Sequence, residues 1–520
     1  MNLQGESIVE KLYNNIVLEN GFQAKPSDPS NVPYLKYPPE VIDVSVGRQL
    51  FVDHFLIEES DLSAEYHSVK KYEENPIFSA EMPWETEGVA CACPKSGGIF
   101  YDEEEKLFKM WYEGGWLHHM CYATSKDGIH WERPDLDCVA GTNIILPYEG
   151  YDPEKLDGDE SYLRPDSTTV WIDYHAPKNE KYKLFLRNPG SLLYGIVGVS
   201  GDGIHFDKIQ KTTPVRDRST IFYNPFRKKW VYSIRSRDVD LMGKEYMRAR
   251  RYRECDDYLA GATWQEGEDA VWMTCDALDL PDAEIGMEPQ LYNVDAVGYE
   301  SIMLGMFQIM YGPDTSETMP YGIPKVTELM PMYSRDGYHF SRPSRKSLIA
   351  PTREKGSWER GYVQSVGGVT LIHGDELWIY YIGFSGNEQM LDPSWVKNGM
   401  YYGGALGLAK LRRDGFVSMN GNGSLLTRKL QFFEKEKMII NAEGKISVEI
   451  LDENGDLLDR SNEFSGDSTC AELRFEKTEI SDWNGKIIRL RFLVNGKLYA
   501  FGFADANGDC GGAHAAGMVK

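Results

Sequence analysis

The stretch CYATSKDGIHWERP, residues 121–134, places an Asp-Gly pair after a run of β-forming residues, and variants of this stretch return later in the chain. The later copies are VGVSGDGIHF at 197–206, MYSRDGYHF at 332–340 and KLRRDGFVS at 410–418. Two runs of β-branched and aromatic residues joined by Asp-Gly are typical of two strands and a tight turn. The sequence therefore repeats a strand pair.

The spacing of the copies predicts the architecture. They recur about 75 to 80 residues apart, except for one interval of about 134 residues between Asp202 and Asp336. RECDDYLAGATW at 253–264 lies inside that interval, and we interpret it as a degenerate copy without the glycine. A repeat that cannot bury its own apolar face must stack on its neighbours. Five units of four strands each predict an all-β fold, a five-bladed β-propeller.

The residue patterns divide the chain into three predicted parts. Residues 1–44 combine apolar residues at helical spacing with a Pro-rich stretch, which predicts a short N-terminal helix and an arm. Residues 45–425 contain the repeats and are the predicted propeller. Residues 426–520 contain Asn-Gly turns between alternating residues, which predict a small antiparallel β-sandwich. The final stretch, 506–520, is rich in Gly and Ala and predicts a frayed end.

Composition limits the classes of partner. The chain has 80 Asp and Glu residues against 56 Lys and Arg residues, a formal net charge of −24. Binding to nucleic acid or to an anionic membrane needs a surplus of Lys and Arg, so we expect neither as a partner. The eight cysteines form no Cys-x-x-Cys pairs, which favours free thiols in a reducing cytoplasm. We expect no metal and no cofactor. Assembly into a homo-oligomer is compatible with the sequence.

A propeller gathers the leading ends of its innermost strands around one channel, so acids and aromatic residues near those ends are candidates for a site. Glycoside hydrolysis needs two carboxyl groups whose surroundings separate their pKa values, and aromatic rings suit the apolar faces of a sugar. The candidate acids, with flanking arginines, are Asp53, Glu85, Glu87, Arg164, Asp166, Arg216, Asp217, Arg218, Glu288, Asp295, Glu300, Glu359 and Arg360. The candidate aromatic walls are Trp84, Tyr299, Trp358 and Tyr362.

Local chemistry favours two of these acids. Asp217 lies between Arg216 and Arg218, whose charges would hold it ionised and oriented. Glu300 falls in an apolar run, where burying an acid is costly without a purpose. The aspartates of the repeated Asp-Gly turns are instead expected to be structural and to lie on the outer rim.

The chain resembles the five-bladed propeller glycosidases, a group that includes invertase- and levanase-like β-fructosidases, α-L-arabinanases and arabinofuranosidases. The resemblance covers about residues 45–520 and includes the repeat number, the Ser-x-Asp-Gly turns and the C-terminal sandwich. Within this group it is most similar to bacterial proteins described only as glycosyl-hydrolase-like, through RQLFVDHFLI at 48–57, PWE at 83–85 and YE at 299–300.

The resemblance implies roles for three acids. Asp217 in RDR is similar to the aspartate that holds sugar hydroxyls and stabilises the transition state, and Glu300 in GYE is similar to the general acid. The NDPNG-like segment that normally carries the nucleophile or base is absent, and the chain has CACPKSGG at 91–98 instead. The third acid is then Asp53 or, alternatively, Glu85.

The predicted function is therefore a glycoside hydrolase that acts on a short fructoside- or arabinoside-like oligosaccharide or glycoside. Glu300, Asp217 and Asp53 are the predicted catalytic residues. The predicted substrate-binding residues are Trp84, Glu85, Arg164, Asp166, Arg216, Arg218, Tyr299, Glu359 and Tyr362. Two alternatives stay open: a carbohydrate-binding propeller without catalysis, and a glycoside phosphorylase that would use the arginines near these acids to hold phosphate.

Overall fold

The computed structural model describes residues 10–18, 28, 32–146, 165–187, 194–236, 248–314, 317–318, 324–392 and 398–519. Helices within these residues are limited to single turns. The α-helical turns are Pro33–Lys36 and Pro83–Thr86, and the 3-10 turns are Lys178–Glu180, Ala260–Ala262, Gly399–Tyr401 and Ile480–Trp483. None of the described helices has the length and apolar character needed to cross a membrane.

Five antiparallel sheets form the blades of a propeller, which confirms the predicted five-bladed, all-β architecture. Blade 1 contains Ala92–Cys93, Ile99–Asp102, Leu107–Gly114, His119–Ser125, Trp131–Glu132 and Ile144–Leu146. Blade 2 contains Asp166–Ile172, Tyr182–Arg187, Tyr194–Ser200 and Asp207–Pro214. Blade 3 contains Thr220–Asn224, Lys229–Ser236, Ala249–Cys255 and Ala270–Met273. Blade 4 contains Gln290–Glu300, Ile302–Gly312 and Val326–Ser334, and blade 5 contains Tyr362–Ser365, Leu371–His373, Glu376–Phe384 and Ala405–Arg412.

The innermost strand of every blade begins at the same end of the ring, here termed the upper end. In blade 2, Asp166 begins the innermost strand at the upper end and Ile172 finishes it at the opposite, lower end. The Asp-Gly turns follow the third strand of a blade and therefore lie at the lower end. Asp202 Oδ1 accepts hydrogen bonds from the backbone N–H groups of Ile204 and His205, both at 2.8 Å, which gives this aspartate the predicted structural role.

The ring is closed by a strand from the beginning of the chain. Lys70–Lys71 pairs with the outermost long strand of blade 5, and Phe78 forms a further bridge to Leu406. The chain then enters the innermost strand of blade 1. Blade 5 thus combines strands from both sides of the closure, which leaves no unpaired edge at the seam.

Residues near the C-terminus occupy the lower end of the channel. Ala513–His514 pairs with Tyr299 and Glu300, and Met518–Val519 pairs in parallel with Ile372 and His373. The predicted frayed end at 506–520 is therefore wrong for these residues. The Gly and Ala content has a packing reason, because a Cβ on Gly512 would lie 2.2 Å from Glu300 Oε2.

Eight further strands form one antiparallel sheet with its own apolar core. They are Gln49–Leu50, Ile57–Ser60, Ser63–Tyr66, Val417–Thr427, Lys437–Leu451, Leu457–Arg460, Phe464–Leu473 and Arg489–Ala504. Hydrogen bonds join all eight into a single sheet, so the two-layer arrangement of a sandwich stays a prediction. The predicted boundaries at 45 and 425 also stay predictions, and the pairing places residues 49–66 in the same sheet as the C-terminal strands.

The described N-terminal residues form a hairpin instead of the predicted helix. Glu10–Lys11 pairs with Val17–Leu18, and the N–H of Leu12 donates to the carbonyl of Ile16 at 2.8 Å. Asn15 between them has φ 67°, a left-handed conformation that asparagine tolerates and that a turn requires. A short parallel pair, Ile42–Asp43 with Leu430–Gln431, attaches the following arm to the C-terminal part of the chain.

Candidate functional site

The upper end of the channel holds a network of buried polar side chains from four blades. Asn293 Nδ2 donates to Asp295 Oδ2 at 2.9 Å and to Ser96 Oγ at 3.2 Å. Ser365 Oγ also donates to Asp295 Oδ2, and Arg218 Nη2 donates to Ser96 Oγ at 3.3 Å. These contacts join blades 1, 3, 4 and 5 across the channel and form a polar floor.

The backbone is strained at the same level of three consecutive blades. Ser96, Ser167 and Arg218 have φ angles of 55°, 60° and 62°, in the left-handed region that non-glycine residues avoid. Ser167 contributes blade 2 to the network, because its Oγ accepts the backbone N–H of Arg218 at 3.0 Å. Strained residues persist where the surrounding structure enforces them, and they concentrate at functional sites. The upper end is therefore the candidate site.

Two carboxyl groups from neighbouring blades share one lysine. Lys95 Nζ lies 2.8 Å from Asp166 Oδ1 and 3.9 Å from Glu113 Oε2. Arg187 Nη1 lies 3.5 Å from the other oxygen of Asp166, and the Lys95 ammonium lies 3.8 Å from the ring centre of Trp116. Since both carboxylate oxygens are close to one nitrogen atom, they lie within roughly 7 Å of each other, in the range of glycosidase carboxyl pairs.

The surroundings of these carboxyl groups shift their pKa values in opposite directions. Burial raises the pKa of Glu113 to about 7, although the Lys95 charge opposes the shift. Burial also opposes ionisation of Asp166, yet the charges of Lys95 and Arg187 lower its pKa below the ordinary value. Burial raises the pKa of Asp295, with a partial offset from its Ser365 hydrogen bond. Near neutral pH the site thus holds a carboxyl group that retains part of its proton, Glu113, beside the ionised Asp166.

Aromatic rings form one wall above this floor. Trp116 stacks on Tyr401 with ring centres 3.9 Å apart and planes 12° apart. Tyr362 contacts Tyr401 and lies edge-on to Tyr292, with ring centres 5.9 Å and 5.7 Å apart respectively. All four rings are buried and support one side of the network.

The structure does not bring Glu300 and Asp217 together. Thr220, at the start of the innermost strand of blade 3, donates to the carbonyl of Val294. Glu300 lies six residues after Val294 on the same strand, about 20 Å from it at the usual rise per residue. There Glu300 is buried, its Oε1 accepts from Arg413 at 2.9 Å, and its Oε2 accepts the N–H of Arg48 at 3.1 Å. The strand from Gln290 is eleven residues long, so its last residue reaches the lower end.

The two candidates for the third acid lie in structural ion pairs. Asp53 accepts from Arg335 at 3.0 Å, at the Asp-Gly turn of blade 4 and therefore at the lower end. Glu85 is fully buried, and it accepts from Arg133 Nε at 2.8 Å and from the hydroxyl of Tyr112 at 2.6 Å. Neither carboxyl contacts the polar floor, so we do not retain either as a catalytic residue.

The other predicted residues divide between the two ends. Asp166, Arg218 and Tyr362 belong to the upper end, as described above. Asp217 is also at the upper end, but its side chain is 39 % exposed and pairs with Arg235, and Arg216 is exposed. The side chain of the RDR motif that joins the polar network is therefore Arg218.

The remaining substrate-binding candidates lie away from the polar floor. Tyr299 donates to Asp414 Oδ1 at 2.5 Å at the lower end, where Asp414 is buried and not on the outer rim as predicted. Glu359 pairs with Lys71 of the closing strand at 2.7 Å, and Trp84 donates to Asn143 at 3.1 Å. Arg164 lies outside the described residues.

Sequence reasoning missed Glu113 and Lys95. Glu113 ends the apolar run LFKMWYEG at 107–114, so the argument applied to Glu300, that a buried acid in such a run is costly, also selects Glu113. Lys95 lies in CACPKSGG, the segment that replaces the expected acidic motif. No sequence pattern selects Lys95 as a site residue, because the residues that it contacts belong to strands distant in the chain.

Two groups of described residues could hold a metal ion, although the sequence predicted none. In each group, one ligand atom from every residue lies within 4.8 Å of the others; the groups are Glu87, His118 and His119, and Asp137, Cys138 and His205. Burial and the charge of His118 lower the pKa of His119 to about 4, which keeps its imidazole neutral, as metal binding requires. Neither group contributes a residue to the polar floor.

No family model matches the sequence, and no curated protein matches it. Among solved structures, the chain is similar to an N-acetylgalactosamine deacetylase from F. plautii in complex with blood group B trisaccharide (15% identity, 72% of this chain and 97% of that chain, TM-score 0.41). It is also similar to an exo-β-1,3-galactanase from Phanerochaete chrysosporium (11%, 82% and 99%, TM-score 0.36) and to a β-1,2-mannobiose phosphorylase from Listeria innocua (10%, 66% and 97%, TM-score 0.40). With TM-scores this low, the fold and the site stand on the contacts of this chain alone.

Proposed function

We propose that the protein cleaves glycosidic bonds at the upper end of the propeller, with Glu113 as general acid and Asp166 as nucleophile or base. The observation that carries the proposal is the pair itself. Two carboxyl groups from different blades share Lys95, and burial keeps one protonated while nearby cations keep the other ionised. Opposite pKa shifts in two adjacent acids are the arrangement that glycosidases use.

The proposed chemistry follows from these two protonation states. Glu113 donates its proton to the glycosidic oxygen while the bond from that oxygen to the anomeric carbon breaks. The carboxylate of Asp166 either attacks the anomeric carbon directly or removes a proton from a water molecule that attacks it. Retaining enzymes have carboxyl groups about 5–5.5 Å apart and inverting enzymes about 6.5–9.5 Å apart, so the first-formed anomer distinguishes the two courses.

Other side chains at the upper end would hold the sugar. Asp295 would accept a hydrogen bond from a sugar hydroxyl through Oδ1, since its Oδ2 already accepts from Asn293 and Ser365. Trp116 lies between Tyr401 and the Lys95 ammonium, so it would fix the position of Lys95 beside the acid pair. A short fructoside- or arabinoside-like substrate remains our proposal from the sequence resemblance.

A panel of aryl glycosides and of fructo-, arabino- and galacto-oligosaccharides tests this proposal, with and without phosphate. Cleavage without phosphate is expected, and NMR of the first product gives the stereochemical course. Cleavage only with phosphate would identify the phosphorylase alternative, which the arginines near Asp166 favour. Binding without turnover on every substrate would leave the non-catalytic alternative. Turnover that survives both Glu113→Gln and Asp166→Asn would contradict the assignment of the pair.

A further inference from the structure

Among the described residues, buried basic groups outnumber buried acids at the upper end. Six basic side chains there are each more than nine-tenths buried: Lys95, Arg187, Arg218, Arg248, Arg250 and Lys325. Three buried carboxyl groups face them, Glu113, Asp166 and Asp295, and burial favours the neutral form of the first and the last. This local surplus of positive charge stands in a chain whose formal net charge is −24.

The basic groups are contiguous rather than scattered. Arg250 donates through Nη1 to the carbonyl of Arg218, and through Nη2 to Asn293 Oδ1 at 2.9 Å. Arg248 and Lys325 both lie over the ring of Tyr292, at 4.7 Å and 5.1 Å from its centre. Together they form one positive region that extends from the polar floor to the aromatic wall.

Several guanidinium groups in this region lack the partners that buried charges need. In the described part of the chain, no carboxylate oxygen lies within 4.0 Å of Arg218, Arg248 or Arg250. Among the same residues, Arg218 Nε, Arg250 Nε and Arg248 Nη1 are buried without a hydrogen-bond acceptor, as is Arg187 Nε. Buried charges without partners are costly, and native proteins keep them where a ligand supplies the partner.

Neighbouring groups respond to this positive region. Burial and the charge of Arg218 lower the pKa of Arg250 to about 9. Burial works against ionisation of Tyr292, yet the charges of Lys325 and Arg248 lower its pKa to about 6. The Tyr292 shift shows the effect of the neighbouring cations, whereas the Arg250 shift is mainly an effect of burial.

We propose that the upper end binds an oxyanion, a carboxylate or a phosphate, through the guanidinium groups of Arg218, Arg248 and Arg250. Guanidinium groups bind both oxyanions through charge-assisted N–H donors, and each of these three arginines has one nitrogen without an acceptor among the described residues. Two sources share this chemistry: an acidic group on the sugar substrate, or inorganic phosphate. The assignment of the oxyanion to a sugar rests on the proposed function, whereas its binding rests only on the contacts above.

The test measures binding of simple anions to the full chain by calorimetry and by thermal unfolding at constant ionic strength. The probes are inorganic phosphate, glucuronate and galacturonate, with chloride, glucose and galactose as references. We expect at least one oxyanion to bind and to raise the Tm in a concentration-dependent way, while the references do not. If no oxyanion binds more tightly than chloride, the proposal is overturned.

Substitutions locate the binding. Arg248→Gln is expected to weaken oxyanion binding about 10-fold or more, because a charge-assisted hydrogen bond is lost. Arg474→Gln makes the same change of charge at a side chain that is 87% exposed, and it should leave binding unchanged. Arg218→Gln provides a second variant in case Arg248→Gln does not fold. Wild-type affinity in whichever of these two variants folds overturns the proposal.

The outcomes separate this inference from the proposed function. Oxyanion binding without cleavage of any glycoside supports the site and refutes the proposed function. Cleavage of neutral glycosides without any oxyanion binding supports the function and refutes the site. Among positive results, binding of phosphate alone identifies inorganic phosphate as the source, and binding of a uronate alone identifies an acidic sugar.

Discussion

Replacing Glu113 by Gln should remove activity and at the same time remove a pH-dependent loss of stability. Burial raises the pKa of this carboxyl group from 4.5 to about 7. One pKa unit corresponds to about 1.4 kcal/mol, so ionising Glu113 in the folded protein costs on the order of 3 kcal/mol. The folded state therefore binds this proton more tightly than the unfolded state, and stability is lost as pH rises from 4.5 through 7. A glutamine cannot ionise and avoids this loss.

The assay compares thermal unfolding of the wild type and of Glu113→Gln at pH 5 and pH 8. The variant is expected to gain stability relative to the wild type as pH rises, while its kcat on the substrate found in the panel falls about 10²- to 10⁴-fold through loss of the general acid. Glu132→Gln, an exposed acid on the same blade, serves as the control and should change neither quantity. The reasoning is refuted if Glu113→Gln shows the same dependence of Tm on pH as the wild type.

Three further predictions follow from the separation of the two ends. Asp166→Asn should lower kcat at least 10²-fold with little change in the far-UV circular dichroism spectrum, because it removes the ionised partner of Glu113. Wild-type turnover in this variant would contradict a catalytic role of Asp166. Glu300→Gln should keep wild-type turnover but lower the free energy of unfolding by about 3–5 kcal/mol in denaturant titrations, because Arg413 loses a buried counter-charge. Lost turnover with unchanged stability would contradict this structural role. Tyr292 should titrate near pH 6 in near-ultraviolet difference spectra. This signal should disappear in Tyr292→Phe and move to higher pH in Lys325→Gln. A titration of Tyr292 near pH 10 in the wild type would show that the cations do not act on this ring.

The blades could be predicted because the sequence pattern that defines them lies within a short stretch of the chain. Each Asp-Gly turn with its flanking strands is visible within about ten residues, and the repeat spacing then implies the ring. The position of a residue along an innermost strand is also local information, and Asp166, at the start of its strand, was placed correctly at the channel mouth. Glu300 was placed at the wrong end because the strand from Gln290 continues for eleven residues, and nothing in the alternation marks where it enters the ring.

Contacts between distant segments could not be predicted in the same way. The pairing of Ala513–His514 with the end of a blade 4 strand depends on an edge that exists only after the ring has closed. Lys95 illustrates the same point at the candidate site. Its role depends on Glu113 and Asp166, which come from two different blades, so no spacing rule within one segment reveals it.

The two ends of the channel differ in how they compensate buried charge, and this difference separates a structural cluster from a functional one. At the lower end, Arg48 lies 2.8 Å from Asp414 and Arg413 lies 2.9 Å from Glu300, so each of these cations has its own carboxylate. This cluster pairs each of these charges within the chain, although Arg413 Nε has no acceptor among the described residues, and it joins the propeller to the C-terminal sheet. At the upper end, the described residues offer Arg218 and Arg250 only neutral acceptors, so these charges lack the paired carboxylates found at the lower end. Buried charges without partners are costly, so these unmatched charges support our proposal that the upper end receives a charged group from outside the chain.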